Sequence, residues 1–297
     1  MGENKNLKKQ SISETYLYKT WKKLKKNKLA IAGLVIIVFF ISAAIFAPYL
    51  TSYDPIEQLI WTEGFSVKLS PPSQEHLLGT DIYGRDILTR VLYGARISLK
   101  ICIAAMGLSV SVGVVLGIMA GYYGGFVDDL ISWLINVLYA FPFLLFIIAV
   151  VAFLPPSLIL TFSAISLVYW MPIARVVRGQ VFSIKEKEYV LAARAVGVSD
   201  IKIMFKHILP NVIAPVIVQA TLGMGTVIMV EAALTYLGFG TQPPTPSWGY
   251  MISSGQGYLA SGEWWWAISP GIAIVLTVLG FNLFGDGLRD ALDPRNN

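Results

Sequence analysis

Glu188-Tyr189-Val190-Leu191-Ala192-Ala193-Arg194-Ala195-Val196-Gly197, continuing through Asp200 to His207-Ile208-Leu209-Pro210-Asn211, decides how this chain is read. It is a charged island between long hydrophobic blocks. Its residues favour helix from Ile184 to Val196. Gly197 tolerates a positive φ and is a natural stop. Ser199 stands where the cap of a second short helix belongs. Pro210 marks where that helix gives way to the next hydrophobic block. A stiff helix–turn–helix between two membrane spans is a handle that something in the aqueous phase can push. Periodicity alone equally suits a helix resting on anionic headgroups.

Of 297 residues, 55% are hydrophobic and 14% charged. A soluble domain carries roughly a quarter charged residues, so lipid is the main solvent. The one cysteine, Cys102, lies in an apolar run, excludes an intrachain disulfide and reads as a small buried hydrophobe. Nine of the 23 Lys and Arg residues fall in the first 28 positions. That tail directly precedes an apolar run, so it reads as a membrane-side anchor rather than a nucleic-acid patch. The uncharged run 29–53 exceeds a signal-peptide core of about 7–15 residues, which favours a retained first span.

A spanning helix needs about 20 apolar residues. Run 130–174 is too long for one span and is interrupted by Pro155-Pro156, so it divides in two. The expectation is an all-α membrane protein with six spans, at 29–50, 97–122, 128–153, 157–181, 209–238 and 265–287. Eighteen Lys and Arg residues then fall on the side of the termini and the loop 175–207, against five on the other. The positive-inside rule places both termini and that loop in the cytoplasm. The parts are a basic tail 1–28, a first helix 29–50, an extracytoplasmic loop 51–96 with an amphipathic helix, a core 97–290 containing the loop 183–207, and a C-terminus 291–297.

Gly113, Gly117 and Gly121 repeat every four residues and mark a face for close helix packing. The spacing leaves open whether the neighbour is in this chain or in another subunit. Gly125 extends the spacing, although Gly124-Gly125 reads equally as the helix end. In 80–96, Ile87, Leu88, Val91, Leu92 and Ala95 share a helical face. Asp81 with Arg85, and Asp86 with Arg90, stand four apart and suit ion pairs. This block is either a solvated helix on the outer membrane surface or a rim that meets another protein. Glu231 is the acid well inside a span, where a charge costs about 2.5–3.5 kcal/mol and so faces protein or water. It is either a pathway group or a structural acid bonded to a neighbouring helix, with the second favoured. The proline-rich 243–249 is expected to be irregular.

The chain has no Gly-Lys dipeptide and hence no Walker A loop, no G-x-S-x-G elbow and no H-E-x-x-H helix. His76 and His207 fall on opposite sides of the expected topology and cannot share a metal.

The opening stretch resembles the E-A-A-x3-G-x9-I-x-L-P signature of permease subunits of bacterial ABC importers. Ala192, Ala193, Gly197, Leu209 and Pro210 match it, while Leu191 and His207 depart from it. Leu78-Gly79-Thr80-Asp81, Gly84-Arg85-Asp86, Thr89-Arg90 and Tyr93-Gly94-Ala95-Arg96 are similar to the stretch before the second span in the dipeptide and oligopeptide branch, which also includes nickel importers. Glu231-Ala232-Ala233, Leu237-Gly238-Phe239-Gly240 and Pro243-Pro244-Thr245-Pro246-Ser247-Trp248-Gly249 resemble the block closing its fifth span. The resemblance implies a type I importer permease that moves di- or oligopeptides by alternating access, or nickel chelates or oligosaccharides by the same machinery. It implies a second permease subunit, two cytoplasmic ATPases that bind the ATP and Mg, and an extracytoplasmic substrate-binding protein, with no cofactor on this chain. Glu188, Tyr189, Ala192, Ala193, Arg194, Gly197, Asp200 and Pro210 would form the ATPase-coupling element. Arg85, Asp86, Arg90, Arg96 and Trp248 are candidates for facing the binding protein. A stand-alone secondary transporter is the competing class. It would bring intramembrane charge pairs or an inverted repeat, and only Glu231 is a candidate.

Overall fold

The computed structural model describes residue 18 and residues 20–293 except Pro156. Most of the basic tail and the last four residues lie outside the described residues.

The first long helix, α1 (Lys28–Leu50), starts at Asn27, whose side-chain oxygen accepts from the Leu29 and Ala30 amides at 3.1 Å. Two short 3₁₀ turns, Leu59–Trp61 and Phe65–Val67, shape the loop that follows. Helix α2 (Ile87–Tyr123) is capped by Asp86, which accepts from the Thr89 amide at 2.7 Å. Helices α3 (Gly125–Tyr139) and α4 (Phe143–Val151) meet at 87°. Helix α5 (Leu158–Lys185) is followed by short α6 (Glu188–Ala195) and α7 (Asp200–Ile203). A π turn, Met204–Ile208, leads into α8 (Leu209–Tyr236). Helix α9 (Trp248–Gly255), a 3₁₀ turn (Gln256–Ser261) and α10 (Trp264–Leu292) complete the order.

Among the described residues, five helices are long and apolar enough to cross a membrane, and the bent α3–α4 pair makes a sixth crossing if taken as one span. Helices α2 and α5 form the most extensive pair, with α8 against both and α1 packed on α10. One end of the bundle carries α6 and α7. The other carries 51–86 and 237–263.

The glycine stripe explains the α2–α5 pair. A β-carbon on Gly113 would lie 2.7 Å from the Trp170 carbonyl oxygen. On Gly117 it would lie 2.7 Å from that of Ala174, and on Gly121 2.6 Å from Val181 Cβ. The neighbour is therefore within this chain. The stripe ends at Gly121, because Gly124 and Gly125 have positive φ and turn the chain into α3.

Four expectations are corrected. The span expected at 128–153 is broken at Pro142, which has no N–H and whose ring collides with a continuing turn. The supposed surface helix in 80–96 is no separate element, since its helical part runs unbroken into α2. The fourth span reaches Lys185, so Arg175 and Arg178 lie in α5, not in a loop. Arg178 holds Asp128 of α3 by an ion pair, and Arg175 donates to Asn136 at 2.8 Å. The loop 240–263 contains α9, which begins where Ser247 accepts from the Tyr250 amide.

Candidate functional site

The helix–turn–helix of α6 and α7 departs from the expected helix Ile184–Val196 at its start, because Ile184 and Lys185 end α5 and α6 begins at Glu188. Glu188 and Asp200 occupy first turns and Arg194 a last turn, each suited to the local dipole. At the end of α6, Gly197 has φ +79° and its amide donates to the Arg194 carbonyl at 3.0 Å. The Val198 amide donates to the Ala193 carbonyl at 3.1 Å, which completes a Schellman stop. Ser199 occupies the cap position of α7 but makes no side-chain capping bond. Pro210 does not break the chain direction. It sits in the first turn of α8, and the wide π turn before it lets the Leu209 amide reach Met204. Pro210 has no N–H for Lys206, so the backbone widens there instead of stopping.

One face of this element is anchored. Val190, Ala193 and Ile203 are buried against the bundle. Tyr122, in the last turn of α2, donates to Asp200 Oδ1 at 2.6 Å, and the Arg194 guanidinium lies 5.1 Å from its ring centre. The neighbouring Tyr122, and after it Asp200, hold the Arg194 pKa above its ordinary value. The sequence reading did not include Tyr122. No motif marks it, since an aromatic residue at a span end is ordinary.

The other face is open. Glu188, Ala192 and Arg194 are exposed, with Tyr189 and Leu191 beside them. Val196 is 79% exposed, Ile201 66% and Phe205 63%. Exposed apolar side chains rimmed by charge are the mark of a docking surface. Gly197 sits on this crest with nothing near its missing side chain.

The opposite end is constructed otherwise. Asp81 accepts from Arg85 Nε at 2.6 Å and from the amides of Tyr83 and Arg85. The pair belongs to a turn, not a helix. Asp86 does not pair with Arg90. It caps α2 and lies 3.0 Å from His76 Nδ1. Arg90 donates to the Pro55 carbonyl at 2.6 Å and lies 3.9 Å from Asp81. Trp248 is fully buried, donates to the Val91 carbonyl at 3.0 Å and meets Phe40 edge-on. Arg85, Asp86, Arg90 and Trp248 are thus interior groups, and the expectation that they face a binding protein is corrected. A lone sequence cannot show that the charges have internal partners as far away as Pro55 and His76. Arg96 is half-buried in the third turn of α2.

Glu231 is fully buried. Its two carboxylate oxygens accept from Ser98 Oγ at 2.8 Å and Thr235 Oγ1 at 3.0 Å. The Ser98 bond joins α8 to α2, while the Thr235 bond lies within α8.

Two known families match this chain. The family described as "binding-protein-dependent transport system inner membrane component" matches residues 113–297. "N-terminal TM domain of oligopeptide transport permease C" matches residues 15–72. A dipeptide transport system permease protein DppC from Alkalihalophilus pseudofirmus is 50% identical over 93% of this chain and 88% of its own length. The oligopeptide transport system permease protein OppC of Bacillus subtilis is 40% identical over 99% of this chain and 94% of its own. Among solved structures, the inward-facing MetNI methionine ABC transporter aligns with a TM-score of 0.53 at 17% identity. The alignment covers 69% of this chain and 97% of that one. An amino acid ABC transporter gives 0.51 at 17% identity, over 68% and 94%. These two likenesses support the fold, a type I importer permease architecture. With family profiles over most of its length and relatives at this identity, the chain belongs to the inner membrane components of binding-protein-dependent transport systems.

Proposed function

We propose that this chain is one of two permease subunits in an ATP-driven importer of dipeptides or oligopeptides, and that α6 and α7 receive the ATPases. The observation that carries the reading is the crest of Tyr189, Leu191, Val196, Ile201 and Phe205 on an element whose other face is bonded to α2. A lever of this kind has one side for the motor and one for the load. Closure of the ATPase pair on ATP would tilt it, and the joined spans would rock as rigid bodies between two accessible states. Substrate biases that equilibrium only through different affinities for the two states.

In this reading the α6–α7 end and both termini are cytoplasmic, as the Lys and Arg distribution favours. The membrane is the bacterial cytoplasmic membrane. ATP and Mg are held by the ATPases, and this chain supplies no nucleotide site. A binding protein delivers substrate at the opposite end, where Trp61, Phe65 and Tyr83 are among the exposed aromatic groups. Peptide as the substrate rests on the names of relatives at 40–50% identity. Nickel chelates and oligosaccharides are the alternative cargoes.

The test is reconstitution of the complete complex in vesicles. ATP-driven peptide uptake that persists when ionophores collapse the ion gradients is expected. Uptake that follows the gradients and ignores ATP overturns the reading in favour of a secondary transporter.

A further inference from the structure

A cavity of about 200 Å³ opens halfway along the spans, between α2, α5, α8 and α10. Its polar lining is Tyr169, Gln219, Thr226 and Asn282, and no charged side chain is among its lining residues. Among the described residues, none of these four side chains makes a hydrogen bond, in contrast with Ser98, Thr235 and Glu231 one helix face away. Two glycines of α8 let neighbouring side chains approach closely here. Gly223 lines it, and a β-carbon there would lie 2.5 Å from Met106 Cε. Asn282 Oδ1 reaches α8 at Gly225, where a β-carbon would sit 3.4 Å away.

Unpaired amides and hydroxyls at this depth are costly against hydrocarbon, so they face protein, water or a solute. Primary amides offer both donors and acceptors and match another amide. They offer no counter-charge for a terminal ammonium or carboxylate. The cavity is smaller than a typical complete ligand pocket of roughly 300–1,000 Å³, the size of one wall of a site shared with another subunit.

We propose that Gln219, Thr226, Asn282 and Tyr169 form this chain's half of a passage site that recognises the main-chain amides of a peptide by neutral hydrogen bonds. Side-chain identity and charge are not read there. The proposal rests on the importer reading and deepens it.

The test uses the complete transporter in vesicles, with its binding protein saturated by trialanine or by trialanine methylated at its amide nitrogens. Saturation removes discrimination at the delivery step. The unaltered transporter is expected to carry trialanine faster. Replacing Gln219→Leu together with Asn282→Leu should slow trialanine transport by about three- to tenfold and bring the two peptides close to equal rates. Unchanged discrimination in that variant overturns the proposal, as does equal transport of both peptides by the unaltered protein. Should the unaltered complex show no ATP-driven uptake of either peptide, the importer reading fails and this one fails with it.

A second measurement does not depend on the leucine variant folding. In a Cys102→Ser background, Thr226→Cys should react with a charged, water-soluble thiol reagent, and trialanine should slow that reaction. Cys102 is buried, so its conservative replacement leaves Thr226→Cys as the one reporter. Absence of labelling, or labelling indifferent to trialanine, overturns the proposal.

Discussion

The two ends of the bundle use charge in opposite ways. At the 51–86 end, Asp81, Arg85, Asp86 and Arg90 are buried and bonded to one another, to His76 and to the Pro55 carbonyl. At the α6–α7 end, Glu188, Arg194 and Asp200 are exposed, and apolar side chains stand out among them. The first is a polar core in a region that sequence periodicity reads as surface. The second is an exposed crest of mixed charged and apolar side chains. A charge-rich segment of a membrane protein is therefore not by default a surface. What decides is whether its charges find partners within reach.

The sharpest way to break the contrast is Asp81→Ala. It leaves Arg85 buried without its carboxylate, and loss of a buried partner costs about 3–5 kcal/mol. The expected result is a large fall in thermal unfolding temperature of the detergent-purified subunit. A change of only a degree or two means the cluster is not the rigid block described. Gly117→Val probes the joint between the two ends. Its side chain enters the space of the Ala174 carbonyl and Val177. Overpacking costs about 1–3 kcal/mol, read in the same melt, and an unchanged melt argues against so close a contact.

Gly197→Val acts on the exposed end alone. The +79° backbone disfavours a β-branched residue by about 1–2 kcal/mol. Co-purification of the ATPases and uptake should fall while the melt of the spans holds. Normal capture and normal uptake would remove α6–α7 as the docking element. Tyr122→Phe is milder. It deletes the bond to Asp200, worth about 0.5–1.5 kcal/mol, and should lower uptake per ATP hydrolysed more than it lowers ATPase capture. The smallest effect is expected for Glu231→Gln, because an amide can still bond Ser98 and Thr235. The expected stability change is within about 1 kcal/mol with turnover preserved, and a selective loss of turnover would make Glu231 a pathway group.

The spans were legible because hydropathy over 20 residues is a loud signal. The expected bounds 29–50 and 209–238 differ from α1 by one residue at its start and from α8 by two residues at its end. The stop at Gly197 was legible because a single backbone rule governs it. Pro142 was overlooked because a lone proline in the long run 130–174 is overshadowed by Pro155-Pro156. The charges of 81–90 misled because spacing of four suggests a solvated helix, while Asp81 and Arg85 pair in a turn and Asp86 and Arg90 find partners at His76 and Pro55. Gln219 and Asn282 drew no notice, since a neutral amide in an apolar run lacks the conspicuous cost of Glu231. Their meaning depends on four helices converging, which no linear pattern records.

The glycine stripe has a mechanical consequence. Helices cushioned by side chains can glide a little along one another as rotamers readjust. Between α2 and α5 the backbone of one meets the carbonyls of the other, and there is no padding to deform. The pair turns as a single beam. Its joints lie at the ends, at Gly124 where α2 turns into α3 and in the short Glu186-Lys187 link after α5, where one or two residues would absorb a stroke.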